Sequence, residues 1–143
     1  MLDSRQPIIL VVENDGPLRE MMVSTLGALG FATLEAESAY EALAKFRANE
    51  AAIDLAIIEF QIPAVSGLDL AAELERLQPG INVLYMSSLH ESIAIESIGQ
   101  RSPERVLLKP FGSEDLVSRA RRLLAGKPAG DRMPQRQRAG SAD

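Results

Sequence analysis

The chain contains no cysteine and no tryptophan, and only one histidine. Without cysteine there is no disulfide framework, no thiol nucleophile and no thiolate metal site, and the absence fits a cytoplasmic protein. A single histidine excludes a multi-histidine metal centre. Aromatic residues make up 4% of the chain, leaving few platforms for stacking nucleic-acid bases. Long apolar runs are also missing. Ile8 to Val12 is too short for a signal-peptide core, and no window approaches the roughly 18 apolar residues of a membrane span. Positive charge is in the minority, with a net charge of −5 over 143 residues. From residue 127 onward, Lys127, Arg132, Arg136 and Arg138 oppose Asp131 and Asp143, giving +2 there and hence −7 over residues 1–126. That balance argues against nucleic-acid binding by the body of the protein.

What is present suits one globular domain. The apolar fraction is 46% and the charged fraction 24%, over a length that fits a single core. Short apolar runs at Ile8–Val12, Phe31–Ala36, Leu55–Glu59, Ile81–Met86 and Arg105–Leu108 predict five strands. Between them lie apolar stripes at helical spacing. Leu18, Met21, Met22, Leu26 and Leu29 form the first, with Asp15 as N-cap and Gly30 as C-cap. Ser38 opens the second, with Ala39, Ala42, Leu43 and Phe46. Pro63 and Ser66-Gly67 lead into the third, with Leu68, Leu70, Ala71, Leu74 and Leu77. Ile93, Ala94, Ile95 and Ile98 predict a short fourth helix interrupted near Gly99. Ser113 is expected to cap a fifth, with Leu116, Val117, Ala120, Leu123 and Leu124 inward and Arg119, Arg121 and Arg122 facing water. Five β-α alternations imply a parallel sheet covered by helices on both faces. Residues 126–143 are too polar to bury a core and are expected to be a disordered tail.

In such a sheet, ligands gather beyond the carboxyl ends of the strands. Those ends carry Glu13-Asn14-Asp15, Glu59, Ser87 and Lys109-Pro110. An ammonium, a hydroxyl and a set of acids or amides suit a phosphoryl group, with the acids able to hold Mg²⁺. A dinucleotide site would want a Gly-rich first loop, which Glu13-Asn14-Asp15-Gly16 does not provide. The one histidine, His90, falls in a loop after Ser87 and is expected to be exposed.

Val-Val-Glu-Asn-Asp, Ile-Ile-Glu-x-x-x-Pro-x-x-x-Gly, Met-Ser-Ser and Lys-Pro-Phe occur in order over about residues 6–125. In this the chain resembles the receiver domain of two-component response regulators. The resemblance implies a flavodoxin-like (βα)₅ fold with strand order 2-1-3-4-5. It implies that a histidine kinase phosphorylates the residue at the end of strand three. It also implies Mg²⁺ held by positions Glu13, Asn14, Glu59 and the carbonyl of Gln61. Ser87 and Lys109 match the phosphoryl-contacting positions. Pro110 matches a proline often preceded by a cis peptide. Val106 stands where the family has an aromatic switch.

Two positions depart from the pattern. The phosphoacceptor position holds Glu59 in place of Asp, moving the carboxylate about 1.5 Å outward. A misplacement near 1 Å costs on the order of 10²-fold in a positioned reaction. Asn14 removes a negative charge from the metal site, so Mg²⁺ should be weakly held or absent. Lys109 is then expected to pair with Glu59 directly. The expectation is an atypical receiver, not an enzyme, acting by phosphorylation-independent protein contact, with Glu59 as a candidate mimic of a phosphorylated aspartate. One alternative is a receiver that still accepts a phosphoryl group, on Glu59 or Asp15. Another is a small enzyme using Glu59, Lys109 and Ser87. The expected partner is a histidine kinase or another signalling protein. A homodimer through strands four and five and the last helix is a further expectation; nucleic acid and membrane are not expected partners. No output domain follows in this sequence, so the chain acts through another protein or is a piece of a longer one such as a hybrid kinase.

Overall fold

The computed structural model describes residues 6–49, 51–88 and 93–126. His90 and the tail from residue 127 onward lie outside them. Five strands, β1 (Ile8–Val12), β2 (Ala32–Ala36), β3 (Leu55–Glu59), β4 (Val83–Ser87) and β5 (Val106–Leu108), form one parallel sheet in the order β2-β1-β3-β4-β5. This is the flavodoxin-like order expected. β1, β3 and β4 are flanked on both sides and covered on both faces, which is why they read as continuous apolar runs.

The helices are α1 (Gly16–Ala28), α2 (Ala39–Ala48), α3 (Gly67–Leu77), α4 (Ile93–Arg101) and α5 (Ser113–Gly126). On one face, Met22, Leu26, Leu116, Ala120 and Leu123 from α1 and α5 pack on Ile9, Val11, Ile57, Leu84 and Met86. On the other, Ala42, Phe46, Leu70, Leu74 and Ile95 from α2, α3 and α4 pack on Leu10, Ile58 and Tyr85. The caps follow local chemistry. Asp15, Ser38 and Ser66 each accept a backbone N–H in the first turn of the helix they precede. α1 ends in a Schellman motif. Gly30 sits at φ +96°, its N–H donates to the Gly27 carbonyl, and the Phe31 N–H donates to the Leu26 carbonyl.

Several expectations are corrected. α4 runs unbroken through Gly99 to Arg101. A helical glycine costs about 1 kcal/mol, whereas burying an isoleucine such as Ile95 returns about 1.5–3 kcal/mol, so packing decides. The exposed-patch question over α4 divides residue by residue: Ile95 is buried, Ile98 packs partly on the core, and Ile93 is 84% exposed. Leu29 is exposed, because α1 ends at Ala28 and Leu29 is its cap. β4 starts at Val83 and reaches Ser87, and β5 starts at Val106, since Arg105 ends a single 3₁₀ turn, Pro103–Arg105. Ser113 is the first residue of α5, not its cap; the preceding Gly112 N–H donates to the Asp115 carboxylate. Arg119 turns back onto the chain and donates to the carbonyls of Pro103 and Val106. Gly126, placed in the tail from its composition, closes α5.

Candidate functional site at the strand ends

Parallel strands end side by side, so residues just past β1, β3 and β5 meet. Glu13 follows β1 and is 1% exposed; Glu59 ends β3 and is 4% exposed. Between them lies the ammonium of Lys109, which follows β5. Its Nζ is 3.0 Å from Glu13 Oε1 and also contacts Glu59 Oε1, with the lysine side chain 24% exposed. These are ion-pair contacts by proximity, without the alignment of a hydrogen bond. The second oxygen of each carboxylate takes a backbone donor two residues on. Glu13 Oε2 accepts from the Asp15 N–H at 3.0 Å, and Glu59 Oε2 from the Gln61 N–H at 3.1 Å. All four carboxylate oxygens are thus engaged.

The charges do not cancel. One ammonium serves two buried carboxylates, leaving an excess negative charge when both are ionised. Burial pushes the Glu59 carboxyl above the usual glutamate value, and the Glu13 charge adds to this against the opposing pull of Lys109 and the Gln61 amide. Burial works against the Lys109 charge. Its contacts with Glu59 and Glu13 outweigh that and hold its pKa above the usual lysine value.

The backbone around Glu59 is tightly fixed. Phe60 N–H donates to the Met86 carbonyl, and Gly67 N–H to the Phe60 carbonyl at 2.7 Å. A Cβ added at Gly67 would lie 2.6 Å from the Glu59 carbonyl oxygen, so only glycine permits this approach. The Lys109–Pro110 peptide is cis, as the resemblance implied.

Of the remaining predicted positions, Ser87 borders the cluster, its carbonyl accepting from the Lys109 N–H at 2.8 Å. Asn14 is exposed. Ser87 is buried, and its hydroxyl donates to the Ser88 carbonyl at 2.8 Å. Val106 pairs in register with Tyr85 and is half-buried. Sequence reasoning missed two partners. Glu13 pairs directly with Lys109, and Arg19 on α1 donates to the Glu13 carbonyl at 2.7 Å while pairing with Glu35 at 3.1 Å. Nothing in the sequence marks Arg19, because its role depends on α1 folding back beside β1.

A family model described as the response regulator receiver domain matches residues 9–121. The chain belongs to the response regulator receiver domain family. The chain is similar to the phosphate regulon transcriptional regulatory protein PhoB of Pseudomonas aeruginosa, 29% identical over 126 residues, covering 86% of this chain and 54% of that protein. It is similar to the alkaline phosphatase synthesis transcriptional regulatory protein SphR of Synechococcus elongatus, 32% identical over 124 residues, covering 81% and 48%. The receiver therefore spans about half the length of these curated relatives. Among solved structures, the NtrX protein of Brucella abortus in complex with ADP superposes with TM-score 0.75 at 25% identity, covering 85% of this chain and 28% of that one. The non-phosphorylated HemR receiver domain of Leptospira biflexa, TM-score 0.75 at 21% identity over 86% and 98% of the two chains, shows the shared fold.

Receiver domains are signalling domains of two-component systems; they interact with histidine kinases and bind Mg²⁺ for phosphorylation. The donor set of this receiver fits that ion poorly. Two carboxylates face inward at the site where the neutral Asn14 leaves no third, and the Lys109 ammonium already lies between them. Among the described residues, no group of three or more His, Cys, Asp or Glu side chains is placed to hold a metal. Nor is any helix among them long and apolar enough to cross a membrane.

Proposed function

We propose that this receiver signals by phosphorylation-independent contact with another protein, its central site held closed by an internal ion cluster. The observation that carries this reading is Lys109 lying between Glu13 and Glu59. The ammonium stands where a divalent cation and a phosphoryl oxygen would otherwise compete for the same carboxylates. Both would have to displace it, and Mg²⁺ is accordingly weakly held or absent. Glu59 as a fixed mimic of a phosphorylated aspartate is a variant of the same reading. It is favoured by the Glu59–Lys109 contact, which needs no modification to form. Val106 supplies no ring to relay that state, so the surface is constant.

In this reading residues 6–126 are the receiver, Gly126 closing α5, and residues 127–143 are a stretch of polar composition. The partner is a histidine kinase or another signalling protein. The edge bearing Leu108, 48% exposed, and Ile93 is the contact face and the place a homodimer would form. The curated relatives are named as transcriptional regulatory proteins, and this chain spans about half of their length.

Intact mass after incubation with acetyl phosphate and Mg²⁺ tests the proposal. The expected mass is unchanged. A phosphate-sized increase that disappears in Glu59→Ala overturns it in favour of a receiver that still accepts phosphoryl groups. An increase that survives in Glu59→Ala but disappears in Asp15→Ala overturns it equally.

A further inference from the structure

Glu13 is engaged at every polar atom it has. Its N–H donates to the Ala36 carbonyl at the end of β2, at 3.0 Å. Its carboxylate takes the Asp15 N–H on one oxygen and faces Lys109 on the other. Its carbonyl accepts from Arg19 Nη1 at 2.7 Å. The first three contacts follow from the sheet and from the turn that leaves it. The fourth is made by a helix side chain whose guanidinium is anchored elsewhere as well.

That second anchor is Glu35. Arg19 Nε donates to Glu35 Oε1 at 3.1 Å, and the Arg19 side chain is 17% exposed. Glu35 lies on β2, the outermost strand. Its carbonyl accepts from Lys45 on α2, which also pairs with Glu41 one helical turn earlier. A guanidinium carries its donors in a rigid planar fork, so a contact at Nε constrains where Nη1 points. Glu35 thereby aims Arg19 at the Glu13 carbonyl. The local rules of α1 do not account for this arginine. It is the fourth residue of the helix, near the positive end of the dipole, where a carboxylate is favoured and a cation is not. Holding a long side chain mostly buried also costs it rotamer freedom.

We propose that Arg19 is the positioning residue of the strand-end centre. It fixes the turn after β1 so that the Glu13 carboxylate faces Lys109, and through Glu35 it ties that turn to the edge strand β2. Its action is indirect, since it touches the Glu13 backbone while Lys109 and the Asp15 N–H touch the carboxylate. This deepens the reading of a closed centre and rests on the ion cluster that carries it. The phosphorylation assay and the test below fail independently.

The test follows hydrogen exchange at two backbone amides of the full chain. The Asp15 N–H reports the place of Glu13 Oε2, and the Gln61 N–H that of Glu59 Oε2. Each bond joins an amide to the carboxylate two residues earlier, so Gln61 is a matched control. Arg19→Met is expected to speed exchange at Asp15 by about tenfold and at Gln61 by less than about twofold. Glu35→Gln keeps an acceptor for Nε and should leave Asp15 protected. Glu35→Ala removes the acceptor and should speed exchange at Asp15 through Arg19. Glu35 is exposed on an edge strand, so this variant keeps the test decisive if Arg19→Met does not fold. Equal acceleration of the two amides in Arg19→Met would mean general loosening and overturn the proposal. Unchanged exchange at Asp15 in Arg19→Met or in Glu35→Ala would overturn it as well. Lys109→Met probes the cluster beneath it and should speed both amides. Protection at both in that variant would sink the closed centre itself, whatever Arg19 does.

Discussion

The centre of the strand ends and their outer edge are built from the same materials to opposite effect. At the centre, β1, β3 and β5 bring Glu13, Glu59 and Lys109 together until every carboxylate oxygen has a partner. At the edge, β5 and α4 meet across Val106 and Gly99 and leave a cavity of about 600 Å³. The centre is polar, buried and internally paired; the edge is largely apolar and open. The lesson concerns where binding capacity lies. In this receiver the strand-end carboxylates are held by the protein's own Lys109, and the free volume lies at the outer edge beside α4 and β5.

The largest expected effect comes from emptying the centre. Lys109→Ala leaves two buried carboxylates side by side with no cation. Removing one partner of a buried ion pair costs about 3–5 kcal/mol. Because Lys109 retains some solvent contact, a loss of about 2–4 kcal/mol near neutral pH is expected from urea unfolding midpoints. A loss below about 0.5 kcal/mol would mean that the carboxylates do not depend on Lys109, and the contrast between filled centre and open edge would collapse.

The next effect is a change of slope with pH. Glu59 has its folded pKa raised above the ordinary value of 4.5, chiefly by burial. As pH rises past that value the unfolded chain releases this proton while the folded chain retains it. The folded state then binds more protons, so this residue lowers stability with rising pH, up to its elevated folded pKa. Lys109, raised above 10.5, acts only at alkaline pH, where its stabilisation is lost as pH climbs through its folded pKa. Glu59→Gln should therefore gain stability relative to the parent as pH rises from 4.5 toward neutrality. Urea midpoints across that interval measure it. If the variant loses ground instead, Lys109 dominates over burial and the centre is a tighter ion pair than described.

The smallest effect is expected at the edge. Val106→Phe adds apolar volume to existing space, so the usual overpacking penalty of about 1–3 kcal/mol should not appear. A change within about 1 kcal/mol in either direction, read as a shift in thermal midpoint, fits an open cavity. A clear loss beyond that would mean the cavity closes in solution.

Legibility in the sequence follows the same division. β1 and β3 read directly as apolar runs because both faces of those strands are covered. The caps at Asp15, Ser38 and Ser66 and the left-handed Gly30 also read correctly, since each is a local device. The parallel alternation places the strand-end residues on one side, and the resemblance to receivers, with Asn14 and Glu59 departing from its pattern, implies the pairing of Lys109 with Glu59. What could not be read was non-local. Gly99 suggested a break that tertiary packing of Ile95 overrides. Arg119 looked solvated on a helical wheel, yet it reaches carbonyls 13 and 16 residues away. The pairing of Glu13 with Lys109 spans most of the chain and is marked by no spacing rule. The cavity arises from two small residues on separate elements, and neither is unusual alone.

The position of Lys109 has a consequence for how this protein meets its surroundings. A bound metal ion has a dissociation constant; a cation carried on the end of β5 does not. Its effective concentration at the two carboxylates is set by the length and stiffness of the chain that tethers it. Dialysis, chelating agents or a fall in cellular magnesium cannot withdraw it.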